Sequence, residues 1–318
     1  MKYLFIGPQL LAGIGQVTNR YAELLESMGH ETEYSMFNDD PKLSSYDVGF
    51  AFVLPLKEQL DKVDALMSRC AKKNYMTICE TDPVSPMYGI FEGRYASMFV
   101  SSQFCKDILA RQFPSIEWKI LHLYAYPHPL TLRLTKADDK PYIFYTIGNI
   151  VDPRKNISML IRAFTECAFP NARLLLKATC IRNITIENNP KIIVINGLIT
   201  ENQLNNIHRS SDCYINCSHS EGVGMGAVEA ALHSKPVILT DFGGLKEYVS
   251  TPFVVKCKVA KTNINDFLFT EDLQWGHPQY EDLVAHMKEC YTKRLTHWNH
   301  EKTRNLIASI HTNLENSL

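Results

Sequence analysis

Short apolar runs alternate with amphipathic stretches along the first 126 residues of the chain. The apolar runs predict strands over residues 3–6, 48–54, 75–79, 98–101 and 120–125. Apolar positions at helical spacing predict helices over residues 16–28, 56–72 and 103–111, and Gly29 is a stop signal for the first helix. This alternation is typical of a mostly parallel sheet with helices on both faces.

A polar segment with several prolines, 127–141, interrupts the alternation and is expected to join two domains. Beyond it, strands are predicted over 142–147, 174–178, 192–195, 213–216 and 236–240. Helices are predicted over 156–168, 201–210, 226–233, 280–293 and 300–313. The sequence therefore predicts an α/β protein of two doubly wound domains, with a ligand cleft at the carboxyl ends of their strands.

Length and charge narrow the class of protein. A chain of 318 residues is long enough for two domains of about 150 residues, each with a sizeable core. The formal net charge of −1 provides no overall basic field for nucleic acid or an anionic membrane. Lys106, Arg111 and Lys119 lie near apolar neighbours, which leaves peripheral membrane contact as an alternative.

The cysteines and the start of the chain indicate a cytoplasmic protein. The nine cysteines form no CxxC pair, and Cys213 and Cys217 have no second pair at zinc-like spacing, so we expect reduced thiols. The chain starts directly with an apolar strand, and no run approaches about 18 apolar residues. We therefore expect neither a signal peptide nor a transmembrane segment.

Two acids flank a glycine-rich loop in the second half of the chain. Glu221 and Glu229 are eight positions apart with three glycines between them, after a predicted strand and at the start of a predicted helix. Backbone N–H groups and the positive end of the helix dipole would attract an anion there. The two carboxylates would then hold neutral hydroxyls. A phosphate beside sugar hydroxyls is the chemistry of a sugar nucleotide.

Several residues and short motifs of the second half form one pattern: Gly148, Arg154-Lys155, Gly197, Glu221-Gly-Val-Gly-Met, Glu229-Ala and the run from Pro236 through Gly243-Gly244 to Glu247. In these residues the second half resembles the nucleotide-binding domain of family-4-type retaining glycosyltransferases of the GT-B fold. The resemblance is strong over residues 142–249 and holds only in outline for the first domain.

The resemblance implies two Rossmann-like domains that face one another across a cleft. It makes residues 1–126 the acceptor-side domain, 127–141 a linker and 142–293 the nucleotide-sugar-binding domain. Residues 294–318 would form a C-terminal helix that packs back on the N-terminal domain.

The resemblance also assigns roles around the glycine loop. It implies that Glu221 contacts the transferred sugar and that Glu229 accepts hydrogen bonds from both ribose hydroxyls. The alternative for Glu229 is an ordinary solvated acid on the helix surface. Backbone N–H groups of the loop would meet donor-sugar hydroxyls or diphosphate oxygens, and glycine permits the close approach. These loop residues are Gly222, Val223, Gly224 and Met225.

A basic pair and an apolar wall complete the implied donor site. Lys155 matches the family's lysine that neutralises the diphosphate, whereas Asn149 stands where the family has an arginine. Arg154 either replaces that arginine or is an exposed loop cation. Leu198 and Ile199, after Gly197, would form the wall beside the nucleotide base.

Three candidates come from the first domain. Gly13 and Gly15 follow the first strand and either contact the diphosphate or acceptor, or make a tight turn. Glu80 follows a predicted strand, where many relatives have a histidine near this position. We expect Glu80 to bind acceptor or sugar hydroxyls or to act as a base, with a structural turn as the alternative.

These observations predict a hexosyltransferase-type enzyme that moves a sugar from a UDP- or GDP-sugar to an acceptor hydroxyl, with retention of configuration implied by the resemblance. No cofactor is expected, and no metal, because no Asp-x-Asp motif follows an apolar strand. The acceptor is open between a glycan, a lipid, a protein and a modified base. Two alternatives remain: a GT-B epimerase or phosphorylase, and a non-catalytic protein that binds sugar nucleotides.

Overall fold

A computed structural model describes residues 1–10, 13–128, 139–179, 184–186 and 189–318. The chain divides into two compact units. The first unit contains Met1–Tyr126, Asn265–Leu273 and Asn305–Leu318, and the second contains Pro127–Ile264 and Gln274–Arg304. Within the described residues, no helix combines the length and apolarity that crossing a bilayer requires.

The first unit is built on a six-stranded parallel sheet. Its strands are β1 (Lys2–Gly7), β2 (Glu31–Met36), β3 (Tyr46–Phe52), β4 (Cys70–Thr77), β5 (Ser97–Val100) and β6 (Glu117–Ile120). They lie in the order β2-β1-β3-β4-β5-β6. The helices between them are α1 (Gly13–Ser27), α2 (Lys57–Met67) and α3 (Gln103–Gln112), with a 3-10 turn at Pro86–Phe91.

The second unit repeats this plan. Its parallel strands are β7 (Tyr142–Gly148), β8 (Ala172–Ala178), β9 (Ile192–Ile195), β10 (Cys213–Asn216), β11 (Val237–Thr240) and β12 (Val254–Val255), in the order β12-β11-β10-β7-β8-β9. An antiparallel pair follows, β13 (Cys257–Lys261) with β14 (Gln274–Pro278). The helices of this unit are α4 (Ile157–Cys167), α5 (Glu201–Ser210), α6 (Met225–Leu232), α7 (Leu245–Tyr248) and α8 (Tyr280–Thr292). The last helix, α9 (Glu301–Ser317), begins in the second unit and belongs to the first from Asn305 onwards.

Both units are therefore parallel-sheet, Rossmann-like α/β domains, which confirms the predicted fold class. The apolar stripe of α1 is buried at all of its predicted positions, Val17, Tyr21, Leu24 and Leu25. Strands β7, β8, β10 and β11 run in one direction, so their last residues meet at one edge of the second sheet.

The predicted elements were wrong mainly at the sheet edges. Strand β2 was missed, and the strand predicted over 120–125 instead ends at Ile120. Both are edge strands with alternating polar residues, and such edges lack the continuous apolar run of a central strand. Helix α2 ends at Met67 rather than at residue 72, because the chain after it enters β4 at Cys70.

Candidate active site at the carboxyl edge of the second sheet

A small cavity lies where strands β7 and β10 end and helix α6 begins. Its volume is about 40 Å³. Its lining includes Gly148, Lys155, Asn216, Glu221 and Met225. The structure thus brings the predicted lysine and the first predicted acid to the start of the predicted helix.

The Glu221 carboxylate is held at this cavity by four side chains. Its Oε1 accepts hydrogen bonds from Lys155 Nζ at 2.6 Å, Ser218 Oγ at 2.7 Å and Asn216 Nδ2 at 3.3 Å. Its Oε2 accepts from Arg154 Nη1 at 3.1 Å. Only 5% of Glu221 is exposed, so these bonds replace most of its hydration.

Glu221 is ionised at neutral pH. Burial alone would raise the pKa of its carboxyl group, but the charges of Lys155 and Arg154 and the hydrogen bonds from Lys155 and Ser218 outweigh burial and lower that pKa to about 2. A carboxylate with so low a pKa is a weak base. It remains a good acceptor of hydrogen bonds from neutral hydroxyls.

Arg154 is a buried hydrogen-bond partner of Glu221. It is 8% exposed, and its Nη1 also donates to the Ser220 carbonyl oxygen at 2.7 Å, while its Nη2 lies 3.3 Å from Asp152 Oδ2. The alternative of an exposed loop cation is therefore wrong. Asn149 is exposed in the preceding turn, where its carbonyl oxygen accepts the Asp152 N–H.

Among the described residues that line the cavity, Lys155 is the cation. Its side chain is 20% exposed, compared with 10% for Arg154, and it lines the cavity. A short 3-10 turn, Pro153–Lys155, places both cations, and the Asp152 side chain caps this turn by accepting the Arg154 N–H. Adjacent positions in one turn thus hold a supporting arginine and an accessible lysine.

Glycines set the backbone at the start of α6. Gly224 has φ of +74°, which favours glycine, and it precedes the first helical residue, Met225. A Cβ on Gly226 would lie 2.4 Å from the Tyr214 hydroxyl oxygen, so only glycine fits there without a shift. Gly224 and Met225 line the cavity.

Gly222 and Val223 are both buried. They lie in the loop between strand β10 and helix α6, and neither is among the residues that line the cavity.

Glu229 belongs to a second group of polar side chains. It is 9% exposed, which excludes the alternative of a solvated helix acid. Its Oε2 lies 3.8 Å from Nε2 of His208, on α5. Unlike Glu221, it does not line the small cavity.

The two predicted base-wall residues differ in their surroundings. Leu198 is 53% exposed. Ile199 lines a separate, larger cavity of about 690 Å³ beside α5, together with Ile195, Ile207 and His233.

The three first-domain candidates lie in the first unit. Gly13 and Gly15 fall within the first turn of α1 rather than before it. A Cβ on Gly15 would lie 2.3 Å from the Gln9 carbonyl oxygen, so the close approach of this backbone explains why a glycine stands there. Glu80 is half-buried, three residues beyond the end of β4.

Sequence reasoning missed three contributors to the second-unit site. Asn216 and Ser218 hold Glu221, and their only signal was their position between the end of β10 and the acid. Lys177, 2% exposed on β8, donates to the carbonyl oxygens of Ala178 and Gly197, both at 2.6 Å. It thereby fixes the Gly197 turn to the end of β8.

Comparisons with known proteins agree with this architecture. Residues 133–267, fewer than half of the chain, match the family of glycosyl transferases group 1. A segment of 100 residues is 35% identical to an uncharacterized glycosyltransferase of Methanocaldococcus jannaschii; it makes up 30% of this chain and 28% of that protein.

Solved structures share the fold over nearly the whole chain. A sucrose-phosphate synthase from Thermosynechococcus elongatus matches with a TM-score of 0.68 and 12% identity, over 99% of this chain and 98% of that chain. The pneumococcal O-GlcNAc transferase GtfA, solved with UDP and GlcNAc, matches with a TM-score of 0.52 and 14% identity, over 94% and 57% of the two chains. The fold is that of the GT-B glycosyltransferases, and together with the family match it supports a GT-B glycosyltransferase.

Proposed function

We propose that the protein moves a sugar from a UDP- or GDP-sugar to an acceptor hydroxyl, with retention of anomeric configuration. The observation that carries the proposal is the ionised Glu221 carboxylate beside Lys155 at the start of helix α6. The lysine and the helix N-terminus are complementary to a diphosphate, and the carboxylate is complementary to sugar hydroxyls.

In the proposed reaction, the bond between the sugar C1 and the diphosphate oxygen breaks and a bond from C1 to the acceptor oxygen forms. The acceptor proton passes to an oxygen of the departing diphosphate. Glu221 does not act as the base, because its low pKa and its four hydrogen bonds make it a poor proton acceptor. Its role in the proposed reaction is to orient the sugar by accepting hydrogen bonds from its hydroxyls. Lys155 stabilises the negative charge that develops on the leaving group, and we propose that this makes a metal ion unnecessary.

Further features extend the proposal to the rest of the molecule. The pneumococcal transferase solved with UDP supports testing uridine donors first. Glu80, Gly13 and Gly15 belong to the first unit, which we propose selects the acceptor. The described cysteines are free thiols, and this supports a cytoplasmic location.

Donor binding and turnover test the proposal in two stages. In a thermal-shift screen of UDP-, GDP- and ADP-sugars, the true donor should raise the melting temperature in a concentration-dependent manner. That donor is then incubated with a panel of glycan, lipid, peptide and nucleoside acceptors. Release of nucleoside diphosphate is measured, and the anomeric configuration of the product is determined by NMR.

Each outcome of the product assay points to one function. Acceptor-dependent release with retained configuration supports the proposal, and an inverted product contradicts retention. An epimerised nucleotide, or a requirement for inorganic phosphate, would identify an epimerase or phosphorylase instead. Donor binding without turnover for any acceptor, equal in wild type and Glu221→Gln, would favour a non-catalytic binding protein.

A further inference from the structure

A buried polar chain leads from strand β7 to Glu229. The Tyr145 hydroxyl lies 2.8 Å from His208 Nδ1, and His208 Nε2 lies 3.8 Å from Glu229 Oε2. Tyr145 and His208 are both fully buried. His208 Nε2 has no hydrogen-bond partner among the described residues, although it is shielded from water. A buried nitrogen in this state is costly unless a group beside it can use its proton.

The surroundings select one tautomer of His208. Burial raises the pKa of Tyr145, so its hydroxyl keeps its proton and can donate to Nδ1. The imidazole proton then resides on Nε2 and faces the Glu229 carboxylate. The other neutral tautomer would place a bare nitrogen lone pair against a carboxylate oxygen, which is repulsive.

Two further rings keep His208 in place. His233 stacks on it with centroids 4.9 Å apart and planes at 13°, and His128 stacks on His233 at 4.0 Å and 19°. His233 Nε2 is fixed by Asn205 Oδ1 at 3.0 Å. The His208 ring therefore has little freedom to turn its Nε2 away from Glu229.

We infer that His208 is a positioning residue that aims the Glu229 carboxylate at the ribose hydroxyls of a nucleotide. This rests on the proposed function and adds a residue to it. The Nε2–H of His208 faces Oε2 across 3.8 Å, which is longer than a hydrogen bond, and its partial positive charge attracts that oxygen. A carboxylate oriented in this way can accept hydrogen bonds from both hydroxyls of the diol. Polar groups behind a ligating residue orient it in a similar way in metal sites.

The test compares ribose with deoxyribose. UDP or GDP, whichever stabilises the protein in the thermal-shift screen, and its 2′-deoxy form are titrated by calorimetry. The wild type should prefer the ribonucleotide by roughly tenfold or more, because a hydrogen bond to a charged group is lost with the 2′-hydroxyl.

Two variants of His208 test the roles of its two ring nitrogens one at a time. His208→Gln keeps a donor near the position of Nε2 and should retain most of the ribose preference. His208→Asn keeps only the partner of Tyr145 and should reduce that preference to about twofold or less. If His208→Asn does not fold, Tyr145→Phe replaces it; loss of the hydroxyl frees the tautomer and should lower the preference by roughly threefold.

The outcomes distinguish this inference from the proposed function. A folded His208→Asn or Tyr145→Phe variant with the wild-type ribose preference overturns the positioning role. Equal weakening of both nucleotides also overturns it, because that result indicates a general structural role. A wild type that binds a nucleoside diphosphate without preferring ribose contradicts the inference alone, whereas a wild type that binds none contradicts the proposed function itself.

Discussion

Lys155 Nζ lies 2.6 Å from Glu221 Oε1, so the two residues that were predicted to bind different parts of the donor bind each other. The Glu221 side chain is 7% exposed and that of Lys155 is 20% exposed. Because Lys155 has three donor protons, it can keep this bond and still donate to a phosphate oxygen. The ion pair therefore orients both groups before a donor arrives.

Removal of the Lys155 charge should weaken both stability and catalysis. We expect Lys155→Met to lower the free energy of unfolding by about 1–3 kcal/mol, because Glu221 keeps Arg154 but loses its shortest partner. We expect kcat to fall by roughly 100-fold or more through loss of leaving-group stabilisation. Urea unfolding and steady-state kinetics measure the two effects.

An exposed lysine provides the matched control. Lys57 pairs with Asp61 at 2.8 Å, but its side chain is 77% exposed. Lys57→Met should change stability by less than about 1 kcal/mol and leave kcat unchanged. Equal effects of the two substitutions would contradict the role given to Lys155.

Acid should destabilise the protein through Glu221. The pKa of Glu221 is about 2 in the folded state, below its ordinary value of 4.5, so its contribution to stability is complete above about pH 4.5 and is lost as the pH falls towards 2. In urea titrations between pH 7 and pH 3, the wild type should lose more stability than Glu221→Gln. The difference should reach about 2 kcal/mol at pH 3, out of on the order of 3 kcal/mol that is lost once the pH falls below 2. Other carboxyl groups titrate in both proteins, so parallel curves would mean that Glu221 is not the group responsible.

Strand β10 was predictable because it lies between two strands and its burial leaves a continuous apolar run. Strand β9 lies at a sheet edge, but its four apolar residues, Ile192–Ile195, also gave the predicted bounds. Helix α5 has the predicted bounds as well. The antiparallel pair β13 and β14 was missed, since its strands carry lysines, a histidine and a tryptophan without a clear alternation. Local pattern is weak where an edge strand carries polar residues in place of an apolar run.

The types of residue in the site were predictable, but their pairing was not. A strand, a glycine loop and a helix in sequence order place Glu221 near an anion-binding helix start. Nothing in the local sequence indicates that Arg154 turns inward to Glu221 and Ser220, because these contacts join residues more than 60 positions apart. The contact between His208 and Glu229 likewise depends on how α5 and α6 pack on the sheet.

Arg154 should prove more important for stability than for donor affinity. We expect Arg154→Gln to lower the free energy of unfolding by about 3 kcal/mol, because it leaves Glu221 Oε2 and the Ser220 carbonyl without their charged partner. Its effect on the Kd of the donor should be smaller than that of Lys155→Met. Urea unfolding and calorimetry provide the comparison. A variant of wild-type stability that no longer binds the donor would instead show that the guanidinium contacts the diphosphate.

Gly226 and Tyr214 should show strong coupling in a double-mutant cycle. Gly226→Ala places a Cβ 2.4 Å from the Tyr214 hydroxyl oxygen, and Tyr214 is only 2% exposed, so the ring has little room to move. We expect a loss of about 1–3 kcal/mol from overpacking, which exceeds the gain of about 1 kcal/mol from alanine's helix propensity.

The second substitution of the cycle removes the Tyr214 hydroxyl. Tyr214→Phe deletes the hydroxyl that donates to the Ile147 carbonyl oxygen at 3.2 Å, at a cost of about 1 kcal/mol. In that background, Gly226→Ala should be neutral or stabilising, because the closest contact is gone and the helix propensity remains. Urea unfolding of the four proteins gives the coupling energy. Additive effects would mean that the start of α6 shifts to accept the methyl group.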